Sequence, residues 1–418
     1  MKAQFNMPNK LCVALFAVGI LFSSSFVSAS EFGSELYDAL SNGKVNFDVN
    51  LRFENVDQDS IANDANALTL RTRLGYETGK VSGFGAFLEF ENTSSLGNED
   101  TFRIPSGPEA NGVARPVIAD PSLTEVNQAY LSYSGFADTV AKFGRQRINL
   151  DNQRFIGAVV WRQNEQTFDG FTVNNKSLVD TSLTYAFLTS QNTILGANND
   201  LSTHVFNASY SGFTAGKWVG YAYLTDFDDS DALDNDTFGI SFSGVAPIGG
   251  GSKVLYTTEY ARQSDASDNP NDLGNDYFFL EGGVTFASGI TAKIGYEVLG
   301  SDDGTSAFFT PFSTLHKFQG WADVFLNTGS PTGFAGGVED LVFTVTGKVE
   351  KVELLAAYHD FGVDDASLVG FSNYGSEIDL LATTKIGKFN VGAKYASFSS
   401  DSAISDVDKF WLWVSTKI

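Results

Sequence analysis

The chain has 418 residues, and its 27 Lys+Arg against 50 Asp+Glu give a formal net charge of -23 at pH 7. A mean hydropathy of -0.07 excludes a bundle of transmembrane helices, which needs several apolar runs of about 20 residues. The strong acidity argues against a nucleic-acid-binding protein, which would carry a basic face, so we predict no nucleic-acid partner.

The N-terminus has the features of a secretory signal peptide. Two lysines accompany an apolar run from Leu11 to Phe22, and Val27-Ser28-Ala29 is a small-x-small cleavage site. The run has 12 residues, which is too short to span a bilayer as a helix. We therefore predict that residues 1–29 are a cleaved signal peptide and that residues 30–418 form one exported domain.

From about residue 44 to the end, apolar and polar residues alternate with a period of two, which indicates β-strands. The first segment alternates apolar Val45, Phe47, Val49, Leu51 and Phe53 with polar Asn46, Asp48, Asn50, Arg52 and Glu54. Such segments are roughly 9 to 12 residues long, which matches tilted membrane-spanning strands and exceeds the length typical of soluble proteins. The competing interpretation is a soluble β-sandwich or solenoid, which would need several domains and shorter strands.

The connections alternate in length. Short turns, as at Gly79-Lys80 and Lys348-Val349, alternate with long polar loops, as at 92–123, 148–165 and 301–338. Short periplasmic turns and long extracellular loops are typical of outer-membrane barrels, and periplasmic chain ends require an even strand number. We therefore predict an all-β fold, a single transmembrane antiparallel β-barrel of about 18 strands, with 301–338 as one long outer loop.

The chain ends on an amphipathic aromatic strand. Phe410, Leu412, Val414, Thr416 and Ile418 alternate with Trp411, Trp413, Ser415 and Lys417. This strand resembles the C-terminal signal of outer-membrane proteins, although Ile418 replaces the usual Phe. We expect the barrel-assembly machinery and the outer-membrane lipid, including lipopolysaccharide, as partners, and expect tyrosines such as Tyr221 and Tyr296 to form girdles at the lipid interfaces.

Several stretches resemble the alginate-export family of outer-membrane porins. The densest are Gly144-Arg145-Gln146, Asp151 to Gly157, Trp161 to Asn164 and Gln166 to Gly170, and further stretches are Leu315 to Asp323, Tyr358 to Phe361, Lys394-Tyr395 and Lys409 to Trp413. The resemblance implies a monomeric 18-stranded barrel in the outer membrane of a Gram-negative bacterium, with an Arg-rich pore that conducts an anionic polyuronate.

Arginine is concentrated in the first part of the chain. Seven arginines fall on lumen-facing strand positions or on the loop 148–165, which we predict to fold into the barrel: Arg52, Arg71, Arg73, Arg145, Arg147, Arg154 and Arg162. Arg holds carboxylates by bidentate hydrogen bonds, so the pattern favours an anion-binding pore. The alternative is that these arginines pair with lumen acids such as Asp48, Glu54, Glu77, Glu89 and Asp169, which would leave a nearly neutral pore.

Two further features bear on ligands. Trp161 and Trp321 lie in loops and are candidates for contacting a sugar. Asp226, Asp228, Asp229 and Asp231 crowd one outer loop and are weak candidates for Ca²⁺, although a solvated acidic loop explains them as well.

Nothing in the sequence meets the requirements of a catalytic site. Neither His316 nor His359 is accompanied by a nucleophile motif, and no metal-ligand spacing appears. We therefore predict a channel that is not an enzyme and needs no cofactor, and that passes anionic sugars or small acids. The alternatives are a general diffusion porin with little selectivity and a surface receptor or adhesin with an occluded barrel that uses the loops 92–123 and 301–338.

Overall fold

The computed structural model of the protein describes residues 29–105, 112–367 and 369–418. The predicted signal peptide lies outside these ranges apart from Ala29 and stays a prediction. A helix that the sequence pattern did not predict, α1 (Ala29–Ser41), precedes the first strand. In the part of the chain that is described, no helix is long and apolar enough to cross a membrane.

Most of the remaining regular structure is β-strand, as the period-two pattern predicts. The strands are β1 (Lys44–Gln58), β2 (Ala65–Glu77), β3 (Phe84–Ser95), β4 (Leu123–Tyr133), β5 (Thr139–Gln146), β6 (Thr167–Asn175), β7 (Thr181–Asn192), β8 (Asn198–Phe213), β9 (Gly216–Thr225), β10 (Asn235–Gly249), β11 (Ser252–Asp265), β12 (Gly274–Thr285), β13 (Thr291–Leu299), β14 (Ser301–Asp302), β15 (Ser306–Ala307), β16 (Val338–Val349), β17 (Val352–Gly362), β18 (Asn373–Ile386), β19 (Phe389–Ser400) and β20 (Val407–Lys417). β14 and β15 form a small hairpin, and the others form one 18-stranded sheet.

The large sheet is antiparallel and closes on itself. β1 pairs with β2 on one side and with β20 on the other, where Asp48 is opposite Lys417 and Gln58 is opposite Val407. Phe47 and Ile418 exchange backbone hydrogen bonds of 2.9 and 2.8 Å, so this seam reaches the last residue of the chain. The predicted fold class and strand number are thereby confirmed.

The two faces of the barrel differ in polarity. In β1, Arg52 and Glu54 are buried on the inner face, whereas Leu51 is exposed on the outer face. In β13, Glu297 is buried and Ile294 is exposed in the same way. A continuous exposed apolar surface would be unfavourable in water, but a bilayer provides an apolar solvent for it.

The strands are joined by short turns at one end and by longer connections at the other, as predicted. Residues 214–215 join β8 to β9, and residues 250–251 join β10 to β11, whereas residues 96–122 join β3 to β4. The helix α1 lies at the short-turn end, where Gly79 N donates to Ala39 O at 2.8 Å.

Two of the long connections turn into the barrel. We call residues 147–166, between β5 and β6, the first inner loop, and residues 300–337, between β13 and β16, the second inner loop. Both contact inward-facing wall residues: Gln163 Nε2 donates to Thr69 Oγ1 at 2.8 Å, and Phe309 N donates to Gln263 Oε1 at 3.1 Å. The second inner loop joins its strands at the long-connection end, as predicted, but it also folds into the barrel, where Phe308, Phe312 and Phe325 are buried.

Candidate functional site: the constriction of the lumen

The two inner loops meet each other inside the lumen. Ile156 and Phe312 form a parallel bridge, and Gly157 N donates to Phe312 O at 2.9 Å. Thr314 N donates to Gln153 O at 3.1 Å. Because each loop supplies part of this contact, the constriction is a joint product of both.

Phe155 anchors the first inner loop to the wall. Its ring centre lies 4.9 Å from that of Tyr221 and 5.5 Å from that of Tyr277. The hydroxyls of these tyrosines donate to Glu259 and Glu297 at 2.8 and 2.7 Å. Tyr221 therefore faces the lumen, and its predicted place in a lipid-facing girdle is wrong.

A buried network of charges holds the first inner loop against β1. Arg162 Nη1 lies 3.1 Å from Glu54 Oε2, and Arg162 Nη2 lies 2.6 Å from Asp323 Oδ2 in the second inner loop. Arg52 forms ion pairs with Asp120, which belongs to the connection between β3 and β4, and with Glu54 at 3.5 Å. All five side chains are almost inaccessible to solvent, and the two arginines compensate most of the charge of the three carboxylates.

Three further arginines predicted to line the pore are also paired. Glu165 of the first inner loop joins two of them, because its Oε2 lies 3.3 Å from Arg73 Nη2 and accepts from Arg147 Nε at 2.8 Å. Arg71 Nη2 lies 2.6 Å from Asp48 Oδ1. Arg147 keeps 29% of its side chain exposed, whereas Arg71 and Arg73 are nearly buried.

The two remaining predicted arginines differ in their surroundings. Arg145 on β5 donates to Asp169 on β6 with bonds of 2.8 and 3.1 Å, which ties these wall strands together. Arg154 is fully buried; its Nε lies 2.9 Å from Glu297 Oε1, and its guanidinium carbon lies 4.8 Å from the ring centre of Phe318.

All seven predicted pore arginines thus have carboxylate partners. The alternative interpretation, pairing with lumen acids, describes the observed contacts of Asp48, Glu54, Glu89 and Asp169. Glu77 is not among the partners found in the described residues. The arginines are therefore concentrated as predicted, but their charge is largely compensated within the protein.

A lysine that the sequence analysis did not assign lies at the centre of the constriction. Lys394 Nζ is 3.7 Å from the ring centre of Trp321 and 4.0 Å from that of Trp161. It also lies 2.7 Å from His316 Nε2, and the His316 ring stacks on Trp161 with centres 4.9 Å apart. The two tryptophans predicted to contact a sugar hold an internal cation in this structure.

Asp323 and Lys409 were not assigned a role either. Asp323 Oδ2 accepts from Lys409 Nζ at 2.8 Å, and Asp323 Oδ1 lies 2.6 Å from His316 Nδ1. Two features of the sequence point to these residues. Lys394 and Lys409 occupy inward positions of amphipathic strands, and Asp323, Lys394 and Lys409 all fall in the stretches that resemble the family.

Burial and neighbouring charges set the protonation of the loop residues. Burial lowers the pKa of His316 well below 6.5, and Lys394 disfavours its protonation further, against the attraction of Asp323. Burial would raise the pKa of Asp323, but His316, Lys409 and Arg162 hold it well below 3.8. We assign a neutral His316 that donates from Nδ1 to Asp323 and accepts at Nε2 from Lys394.

A cavity of about 640 Å³ remains beside the inner loops, along the wall from β9 to β18. Its ionisable lining consists of Asp151, Glu259, Glu281, Glu297, Asp340, Asp379, Lys217, Lys293, Lys317 and His359. Carboxylates outnumber lysines in this lining by six to three. The open part of the lumen is therefore more acidic than the predicted arginine lining suggests.

The acidic outer loop contains the four aspartates that are weak candidates for Ca²⁺, namely Asp226, Asp228, Asp229 and Asp231. Across the described residues, no group of three or more His, Cys, Asp or Glu is placed to hold a metal ion. The aspartates instead engage other polar groups: Asp226 accepts from Ser267 Oγ at 3.2 Å, Asp228 from Ser202 Oγ at 3.3 Å, Asp229 from Asp200 N at 3.4 Å, and Asp231 begins a short 3₁₀ turn. These contacts agree with the interpretation of a solvated loop.

A closed barrel with an apolar outer face and inward-folded loops is the architecture of an outer-membrane porin. The family model described as alginate export matches residues 41–288, which is more than half of the chain. The chain therefore belongs to the alginate-export family of outer-membrane porins. The predicted resemblance is confirmed, and its densest stretch lies inside the matched range.

Solved structures share the fold. The crystal structure of Acinetobacter baumannii OccAB2 matches with a TM-score of 0.71 at 16% identity, over 91% of this chain and 99% of that chain. Pseudomonas aeruginosa OccK9 (OpdG) matches with a TM-score of 0.71 at 15% identity, and P. aeruginosa OpdK with vanillate with 0.70 at 12%, both over 91% and 99% of the two chains. At such identities the likeness establishes the fold alone. No curated protein matches the sequence.

Proposed function

We propose that this porin passes small acidic solutes, such as uronates and their short oligomers, passively through a lumen whose constriction arginines set the preference. The observation that carries the proposal is the placement of the seven arginines. They lie on β1, β2, β5 and the first inner loop, which crosses the lumen from Glu54 on β1 to Glu297 on β13, so arginines are concentrated at the constriction. Clusters of Arg and Lys favour anions in pores generally.

Paired arginines can still bind a passing carboxylate by exchange. Arg147 is partly exposed and shares Glu165 with Arg73, so a solute carboxylate can replace part of this pairing with hydrogen bonds of the same kind. The chain shares its fold with OpdK, and the crystal structure of OpdK is one with vanillate, which is a small carboxylate. Both points support an acidic solute and leave the direction of passage open.

A second candidate, a general diffusion porin, is favoured by the acidic cavity. The carboxylates of this cavity outnumber its lysines, so the cavity would attract cationic solutes and would not discriminate among neutral ones. The two functions differ in whether acidic solutes are preferred over neutral ones, so one measurement separates them.

The test is conductance of the purified full-length protein in planar bilayers, with oligouronates and neutral oligosaccharides of equal length as blockers. We expect concentration-dependent block by the oligouronate only, and weaker block in Arg147→Gln. Arg262→Gln is the matched control, because Arg262 is half exposed on β11 and pairs with Asp276 on the neighbouring strand β12. Equal block by both sugars would favour the general porin, and an absence of conductance would favour an occluded receptor.

We propose transport without catalysis. The strongest acid–base candidate is His359, whose Nδ1 lies 2.9 Å from Asp340 Oδ1 within the wall, where the pair compensates charge. Ester or lipid hydrolysis by the purified protein that disappears in His359→Gln would contradict this part of the proposal.

A further inference from the structure

Asp323 is bound by three side chains that come from three different parts of the chain. Its Oδ2 lies 2.6 Å from Arg162 Nη2 of the first inner loop and 2.8 Å from Lys409 Nζ of β20, and its Oδ1 lies 2.6 Å from His316 Nδ1. Only 3% of its side chain is exposed. A carboxylate held by an arginine, a lysine and an imidazole N–H is a complete recognition site for a carboxylate group.

We propose that Arg162, Lys409 and His316 form a carboxylate-binding site of the channel, and that Asp323 occupies it as an internal substitute for the solute. The inference rests on the proposed function, because it assumes that the solute carries a carboxylate. An entering uronate displaces Asp323 and takes over its hydrogen bonds. The second inner loop thereby keeps the constriction narrow until a suitable solute arrives, while small ions still pass.

The segment that presents Asp323 has an unfavourable backbone. Gln319, Gly320 and Asp323 have φ angles of 51°, 77° and 61°, which lie in the left-handed region. Side chains other than glycine adopt that region at a cost, and a short segment with several such residues depends on its contacts. Loss of the Asp323 contacts therefore favours displacement of this segment over retention of its present conformation.

The residues around the site suit a sugar ring. The Trp161 ring lies parallel to the His316 ring, with centres 4.9 Å apart, and the Trp321 ring lies over the Lys394 ammonium. Flat aromatic surfaces next to a few fixed polar groups are typical of small-molecule sites. A uronate that replaced Asp323 would place its ring among these side chains.

The site also has a route of access and a suitable charge. Phe318, Gln319, Gly320 and Trp321 line the cavity of about 640 Å³, so a solute in the cavity contacts the segment that carries Asp323. The connected network contains four cations and three carboxylates, namely Arg52, Arg162, Lys394, Lys409, Glu54, Asp120 and Asp323. When Asp323 leaves, its position is surrounded by a larger excess of positive charge, which favours a replacement carboxylate.

The test compares uronate block of single channels in the full-length protein and in Asp323→Asn, which keeps the size of the side chain and removes its charge. We expect the concentration for half block to fall by about tenfold, because the internal competitor no longer carries a charge. Asp303→Asn is the matched control, since Asp303 is an exposed aspartate of the same loop, and it should leave the block unchanged. Unchanged or weaker block in Asp323→Asn would overturn the inference.

A second variant covers the case in which Asp323→Asn does not fold. Lys409→Gln removes one ligand of the site, so uronate block should weaken while block by a neutral sugar stays constant. Equal uronate block in Lys409→Gln and in the unmodified protein would overturn the inference. If the unmodified protein shows no uronate block at all, the proposed function itself fails. If it is blocked but Asp323→Asn does not tighten the block, only the present inference fails.

Discussion

Arg162 and Asp323 are 161 residues apart in the chain, yet their Nη2 and Oδ2 atoms lie 2.6 Å apart in a buried ion pair. This pair connects the first inner loop to the second. The constriction of the lumen therefore depends on long-range electrostatic contacts as well as on aromatic packing, and each can be tested separately.

Replacement of Arg162 by Met should destabilise the protein strongly. The change leaves Glu54 and Asp323 buried without their common partner, and breaking a buried ion pair in this way costs about 3–5 kcal/mol. Thermal unfolding in detergent, followed by circular dichroism, measures the effect. In the control variant Arg262→Met, an exposed pair is lost, and we expect a change below about 1 kcal/mol. Equal effects of the two substitutions would contradict the assigned role of Arg162.

Replacement of Lys394 by Met should alter the environment of the constriction tryptophans. The change removes a desolvated cation from the faces of Trp161 and Trp321, an interaction worth about 2 kcal/mol. We expect a changed near-UV circular dichroism spectrum and a lower unfolding temperature. The control variant Lys388→Met, in an exposed turn, should change neither the spectrum nor the unfolding temperature. An unaltered near-UV spectrum in Lys394→Met would contradict the contact of Lys394 with the two tryptophans.

Replacement of Phe155 by Ala should loosen the first inner loop. The ring contacts Tyr221 and Tyr277, so its removal leaves a cavity and costs about 3 kcal/mol. Limited proteolysis in detergent should cut within residues 147–166 faster than in the unmodified protein. Phe136→Ala, in an exposed turn, serves as the control. If proteolysis within 147–166 is as slow in Phe155→Ala as in the control, the anchoring role is wrong.

Acid should weaken the contact between the inner loops. Burial lowers the pKa of His316 below 6.5 in the folded state, so its contribution to stability is complete above about pH 6.5 and is lost as the pH falls below that value. The pKa of Asp323 is also lowered, by its cationic neighbours despite burial, so its contribution is lost only below pH 3.8. The unfolding temperature should therefore depend on His316 between pH 6.5 and 5.

The variant His316→Gln isolates this effect, because other carboxylates of the lumen titrate as well. Relative to His316→Gln, the unmodified protein should lose stability as the pH falls from 6.5 to 5. His204→Gln changes a histidine outside the constriction and should behave like the unmodified protein. A difference between the unmodified protein and His316→Gln that does not vary with pH would exclude a neutral, buried His316.

The barrel could be predicted from the sequence because each wall residue faces either lipid or lumen. Alternation around Leu51 and Arg52 determines which face each side chain occupies, and the short turn predicted at Lys348-Val349, which the structure places at residues 350–351, fixes the even strand number. These are local signals, and a period of two carries them directly. The helix α1 lies before the alternating region, so the same signal could not predict it.

The constriction was harder to predict because its contacts join distant parts of the chain. The arginines and their strand partners, such as Glu54 and Asp169, could be named from type and strand position, but Asp120 and Asp323 could not, since they lie in loops without periodic pattern. The depth of the second inner loop depends on the burial of Phe308 and Phe325, which needs the closed barrel around them. Lys394 and Lys409 do carry a signal in the sequence, because both occupy inward-facing positions of amphipathic strands.

The central claim is that this porin prefers small anionic solutes, and the most direct test is the reversal potential of the purified protein in a planar bilayer across a KCl gradient. We expect a reversal potential displaced toward the chloride equilibrium potential, with a smaller displacement in Arg147→Gln. A reversal potential displaced toward the potassium equilibrium potential would contradict it, and would assign the selectivity to the acidic cavity lining instead.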